Sequence, residues 1–409
     1  MLTAPSRDWS VFQQIFADHW KAFQHAHPRY QTPYYDGLVA KMLACGNPAQ
    51  LGYIAYRCLH CGQGKHVVAM SCQSSLCLRC AKVYVDHWVS QVSRVLHEGV
   101  IYRHSILTVP AMFRTTFYQH AAVVLRAFMR CGVQGLDAFY SAVQGKPLRG
   151  GSIVVLHTHG RHGQYHPHLH GLATSGGDDE SGDRWEHLAY LPSTLLRRQW
   201  QWHLWTMLRQ TLRTEAIVQL VDRCFRQYPD GLVTNVQKGH VPAQAQSVAR
   251  YVAKDVVSPP MAVRRIDRYD GERVTYHDRS HRTDRFEYET VAVATFIGRM
   301  VQHTMPKGFQ RIRYYGMQAT KTFAKVKVVI QAALAKVEGV VKGAIKIIAR
   351  LTSRQRYEQS TGRDPFRCPH CQRTMDVWRI WHPTSGVIYD EGEGIKRGTY
   401  ASSVQRAGP

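Results

Sequence analysis

Five histidines at alternate positions in two neighbouring stretches constrain this chain more than any other feature. His166, His168 and His170 occupy HPHLHGLATS, and His157 and His159 occupy GSIVVLHTHG. On a β-strand alternate residues share one face, so each set points a single way. GSIVVLHTHG is rich in β-branched residues, and a short glycine-containing turn separates the two stretches, which predicts a hairpin turning near residues 161–164. In that hairpin His157 lies across from about His168, and three or more imidazoles converge. A run of polar residues on an exposed sheet face does not account for five histidines at period two on adjacent strands. Converging imidazoles with coordination positions left open suit a catalytic divalent ion able to grip a phosphate oxygen.

The cysteines add a second constraint. Of ten, six lie between Cys45 and Cys80, two more are Cys368 and Cys371, and Cys131 and Cys224 stand alone. In a reducing compartment such clustering points to metal rather than disulfides. Cys58-Leu-His-Cys61 and Cys77-Leu-Arg-Cys80 are two C-x2-C knuckles at zinc-ribbon spacing, so Cys58, Cys61, Cys77 and Cys80 are expected to hold one structural zinc ion. Four thiolates leave no open position for chemistry. Cys45 and Cys72 remain as buried thiols or members of an alternative ligand set. Cys368-Pro-His-Cys371 is a lone knuckle, half of a site.

Lys and Arg total 53 against 29 Asp and Glu, a formal charge of +24, which points to a polyanionic partner and above all to nucleic acid. Hydrophobic residues make up 44% of the chain, enough for a buried core and against bulk disorder. No apolar run approaches the ~20 residues of a membrane span, and MLTAPSRDWS has no signal-peptide core. A soluble, cytoplasmic protein is expected. A secreted disulfide scaffold, a membrane protein and a fibrous repeat are disfavoured.

Periodicity divides the chain into a helical segment over 1–44, a zinc-binding module over 45–85, a mixed core over 86–318, and a basic tail over 319–409. Within the core, IYRHSILTVP reads as a strand, two helices follow near 111–130 and 133–143, LPSTLLRRQWQWHLWTMLRQTL reads as a long helix, and short strands surround Asp270-Gly271. Residues 323–350 read as a basic amphipathic helix. In PAQAQSVARYVAKDVV, Val248, Val252 and Val256 form an apolar stripe, while Ser247, Tyr251, Lys254 and Asp255 share the opposite face. A tyrosine there can reach a substrate phosphate, and a lysine one turn away can offset its charge.

His168-Leu169-His170 followed by a helix bearing Tyr251 resembles the HUH endonuclease superfamily, in which two histidines flank a hydrophobic residue. More specifically, the chain resembles the IS91-type rolling-circle insertion-sequence transposases, in order and over nearly its whole length. The strings that carry the likeness are SCQSSLCLRCAK, HSILTVP, VVLHTHG, HPHLHGLATSGG, ARYVAKDVVSPP, MPKGFQRIRYYG and CPHC. The resemblance implies an α+β fold, with an HUH-type antiparallel-sheet core flanked by helices, an N-terminal zinc-ribbon-like module and helical extensions. It implies a DNA transposase that nicks and rejoins single-stranded DNA at transposon ends and target. A Mg or Mn ion on His168, His170 and a third ligand would polarise the phosphodiester, and Tyr251, assisted by Lys254, would form a 5′-phosphotyrosine link. His157 is the expected third ligand, with His166 and His159 as alternatives.

Many members carry two tyrosines four residues apart, whereas Ser247 and Asp255 stand at those positions here, which makes this a single-tyrosine variant. One tyrosine then acts twice, or a second subunit or another tyrosine contributes. No GxxxxGK[ST] phosphate-binding loop occurs, so duplex unwinding is expected from a host helicase or the replication machinery, in a bacterial cytoplasm and at the nucleoid. The competing readings are an HUH replication initiator or relaxase, and a non-catalytic zinc-ribbon regulator.

Overall fold

The computed structural model describes residues 10–97, 99–160, 163–178, 185–188, 192–236, 260–280, 283–319, 321, 323–335, 351–362, 364–391 and 394–395. Tyr251, Lys254, Ser247 and Asp255 lie outside the described residues, as does the amphipathic helix beyond Ala335. The fold is α+β, with antiparallel sheets and helices. Contacts group the chain into two compact units that cut across the four-part division read from the sequence. One unit comprises residues 1–84, 261–298 and 350–409, and the other 85–260 and 299–349.

The second unit is built on a five-stranded antiparallel sheet. Its strands run in the order Ile312–Gly316, Gly151–His159, Tyr165–Thr174, Tyr102–Thr108, Thr234–Val236. Alternation gives the sheet two distinct faces. Leu107, Val154, Leu156, Leu169 and Ala173 point to one face and pack against the helices Ala121–Gln144 and Ser193–Leu212. Tyr102, Ile153, Val155 and Leu172 point to the other, where Trp88, Val92, Leu96, Met317 and Ile330 cover them.

The helix Ala121–Gln144 corrects one expectation. The helices expected near 111–130 and 133–143 leave a gap at residues 131–132, but the helix runs straight through it, and the boundary falls instead at His120, after the helix Arg114–Gln119. Gly132 faces the sheet, and a Cβ there would collide with Leu169 Cδ1. The glycine is therefore a point of close helix–sheet approach rather than a break. The chain leaves this helix at Gly145, whose φ of +75° is the left-handed conformation that ends helices.

In the first unit the strand Tyr53–Arg57 pairs on one side with Lys65–Ala69 and on the other with Asp376–His382, which continues through Gly386–Asp390 to Gly394–Ile395. A separate three-stranded sheet, Ile266–Tyr269, Arg273–Arg279 and Phe286–Ala292, turns at Asp270 and Gly271 as the sequence suggests. Phe12 and Phe16 of the helix Val11–Ala26 anchor its core, and a reciprocal cap between Ser10 and Gln13 starts that helix.

Candidate functional site

The hairpin predicted from the histidine spacing forms, and its register places His157 directly opposite His168 and Val155 opposite His170. Tyr102–Thr108 pairs along the other edge, with Ile106 opposite His170 and Thr108 opposite His168. His157, His168 and His170 thus occupy one end of a single sheet face, beyond the part that Val155 and Leu172 fill with hydrocarbon. One ring nitrogen from each of the three lies within 4.8 Å of the others. His157 and His170 are buried and His168 is half-buried.

Two hydrogen bonds fix which nitrogens face inward. His168 Nδ1 donates to the carbonyl of His166 at 2.8 Å, which leaves Nε2 with its lone pair. His170 Nδ1 lies 2.8 Å from His104 Nε2, and the two rings stack. His170 Nε2 is buried without a hydrogen-bond partner among the described residues. A buried, unpaired imidazole nitrogen is costly unless something fills its place, and a metal ion is the ligand that imidazole lone pairs select. The donor set therefore fits a divalent ion with positions left open. The surroundings keep the His168 and His170 rings neutral and able to donate lone pairs. Burial pushes His170 well below its ordinary value, helped by repulsion from His157, His168 and His104. Burial, with Arg114 adding repulsion, also lowers His168, and burial with repulsion from His168 lowers His104 to about 4.

The other two histidines of the period-two set do not join the group. The strand bulges between His157 and His159, so His159 falls out of phase and stacks on the His157 ring instead. His166 contributes its backbone carbonyl. His303, not singled out from the sequence, holds the hairpin turn. Its Nε2 donates to the Gly163 carbonyl at 2.9 Å, and its Nδ1 accepts from Thr158 Oγ1 at 3.2 Å. His104 was missed as well. Its signal was available: HSILT alternates like its neighbours, so a strand paired with HPHLH would carry a sixth histidine onto the same face.

The thiols assemble differently from the sequence expectation. Cys58 and Cys61 do not meet Cys77 and Cys80. Cys77 and Cys80 group with Cys45 and Cys72, whereas Cys58 and Cys61 group with Cys368 and Cys371. The cause is the position of the second knuckle. Cys80 sits in the first turn of the helix Leu78–Arg94, beside the segment that carries Cys72, rather than on a hairpin facing Cys58. In the first group Sγ of Cys80 lies 3.6 Å from that of Cys45 and 3.4 Å from that of Cys72. A tetrahedron with Zn–S bonds of about 2.3 Å has edges of about 3.8 Å, so four thiolates at these separations suit zinc.

Comparison with known proteins follows the same division. Residues 15–109 match the family model described as "Transposase zinc-binding domain", and residues 151–325 match that described as "Putative transposase". The chain is 29% identical over 303 residues to the "Transposase for insertion sequence element IS801" of Pseudomonas savastanoi pv. phaseolicola, covering 69% of this chain and 70% of that protein. It is 26% identical over 377 residues to "Putative transposase y4qJ" of Sinorhizobium fredii (strain NBRC 101917 / NGR234), covering 88% of this chain and 92% of the relative. No solved structure matches significantly.

Proposed function

This chain belongs to the IS91-type insertion-sequence transposases, and we propose that it moves DNA by cutting and rejoining single strands through a tyrosine, in the rolling-circle manner of HUH endonucleases. The observation that carries the proposal is the histidine triad, with ring nitrogens within 4.8 Å and a buried His170 Nε2 that no group among the described residues satisfies. Magnesium or manganese held by His157, His168 and His170 would withdraw electron density from the scissile phosphate.

The chain supplies the remaining parts. Tyr251 provides the nucleophile: its phenolic oxygen loses a proton and bonds to phosphorus, while the bond from phosphorus to the 3′ oxygen breaks and that oxygen takes up a proton. The products are a 5′-phosphotyrosine and a free 3′-OH. The phosphoester energy is retained, so rejoining needs no nucleotide hydrolysis. Lys254 offsets phosphate charge, and Arg114, whose guanidinium depresses His166 and His168, adds a cation beside the triad. Affinity for DNA comes from the +24 charge. The remaining partners on this reading are a host helicase or the replication machinery, and a second subunit if one tyrosine cannot complete both transfers. A cytoplasmic, nucleoid-associated setting follows from the substrate. Among the described residues no helix is long and apolar enough to cross a membrane.

The test is direct. A labelled single-stranded transposon end is incubated with protein and Mg or Mn and resolved on a denaturing gel. The wild-type chain gives a covalent adduct and Tyr251→Phe gives none while still binding DNA, because the substitution keeps the ring and deletes the attacking oxygen. An adduct of undiminished yield in Tyr251→Phe would assign the nucleophile to another residue.

A further inference from the structure

We propose that Cys58, Cys61, Cys368 and Cys371 bind a second structural zinc ion, which fastens the C-terminal part of the chain into the N-terminal zinc module. The proposal does not depend on the phosphoryl chemistry. Residues 15–109 contain only half of it.

The two knuckles are similar turns, closed by corresponding backbone hydrogen bonds that differ by one residue in span. In the first, the Gly62 amide donates to the Cys58 carbonyl and the Cys58 amide to the Gly64 carbonyl, at 3.0 and 2.8 Å. In the second, the Gln372 amide donates to the Cys368 carbonyl and the Cys368 amide to the Arg373 carbonyl, at 3.0 and 2.8 Å. The residue after the second cysteine is left-handed in both, Gly62 at φ +69° and Gln372 at φ +60°. A left-handed glutamine is strained, so something must hold that turn in place.

The turns face one another. Cys58 Sγ lies 3.5 Å from Cys371 Sγ, and Cys61 Sγ lies 3.5 Å from Cys368 Sγ, so all four thiols close into one group. Gly64 lies so close that a Cβ on it would strike Cys368 Sγ, which explains a residue without a side chain there. Cys58 and Cys368 are fully buried, under Tyr56, Met375, Phe366 and Val377. The pairing of Tyr53–Arg57 with Asp376–His382 brings the knuckles together across more than 300 residues of chain. Four thiolates without histidine or carboxylate, within 4.8 Å of one another and two of them buried, select zinc. The lone CPHC knuckle thereby finds its missing half, and the zinc ribbon expected from two C-x2-C motifs exists with a different second motif.

The purified full-length chain should contain two zinc ions by elemental analysis, and Cys368→Ser/Cys371→Ser should contain one. In the variant, Cys58 and Cys61 should become alkylated by iodoacetamide while Cys45, Cys72, Cys77 and Cys80 stay protected. The wild-type protein supplies a test without substitution: stepwise chelation followed by peptide mapping should expose Cys58, Cys61, Cys368 and Cys371 together, as one set distinct from the other four. Three results would overturn the proposal: one zinc per wild-type chain, iron with acid-labile sulfide in place of the second zinc, or exposure of Cys368 and Cys371 while Cys58 and Cys61 stay protected.

Discussion

His104 sets the sharpest quantitative expectation for the histidine site. It touches no substrate in the proposed reaction and acts through the nitrogen it offers to His170, so it is a positioning residue. For His170 Nε2 to offer a lone pair, Nδ1 must carry the proton, and the one nitrogen placed to accept it is His104 Nε2 at 2.8 Å. His104 is 4% exposed, so water does not readily replace it. His104→Ala leaves a buried N–H unsatisfied, which costs about 1–3 kcal/mol, and frees His170 to adopt the wrong tautomer. Loss of such an outer hydrogen bond typically weakens metal binding 10–100-fold, or about 1.4–2.7 kcal/mol, so the two routes agree. Titration calorimetry with Mn in the absence of DNA should show that weakening, and nicking should recover as Mn is raised. His104→Gln, whose amide oxygen can accept the same proton, should restore most of the affinity. A Kd within twofold of wild type in His104→Ala, alongside abolished binding in His170→Ala, would refute the positioning role. Unchanged binding in both would instead remove the metal assignment.

Other consequences can be checked separately. His168→Ala or His170→Ala should abolish cleavage yet leave DNA affinity, read by fluorescence anisotropy, nearly unchanged, because phosphate contacts from Lys and Arg dominate binding. Gly132→Ala improves helix propensity by about 1 kcal/mol on an open helix face, but here the new Cβ meets Leu169, so thermal unfolding should show a net loss of about 1–3 kcal/mol from overpacking. Burial lowers His104 to about 4 and His303 to about 3, whereas the unfolded chain binds those protons near 6.5. Each therefore favours unfolding as pH falls below about 6.5, by about 2 kcal/mol at pH 5, and contributes nothing above about pH 7.5. Urea midpoints of the metal-free protein should be flat above neutrality and fall between pH 6.5 and 4.

What the sequence made legible follows from the range over which each feature is determined. The histidine hairpin was readable because pleating fixes the facing of alternate residues and a short turn fixes the register, so His157 opposite His168 needs only local information. The C-x2-C knuckles were equally local as turns. Which knuckle meets which was not, because that choice depends on Tyr53–Arg57 taking Asp376–His382 as its second neighbour. The helix boundary expected between residues 130 and 133 was not local either: Gly132 lies inside Ala121–Gln144, where it meets Leu169 of the sheet. His104 lay between these cases, its face readable from HSILT but its partner visible only once strand order is known. Distance along the chain, rather than strength of motif, thus separates the site features that spacing predicts from those that only the assembled sheets reveal. By that criterion the ligand set proposed for the metal, His157 with His168 and His170, is local, carried by one hairpin, whereas its support on His104 is not. On the proposed metal site, substitution at His157 should therefore weaken metal binding with the hydrogen bonds from His168 to the His166 carbonyl and between His170 and His104 intact, while substitution at His104 should weaken it by removing the partner of His170 Nδ1.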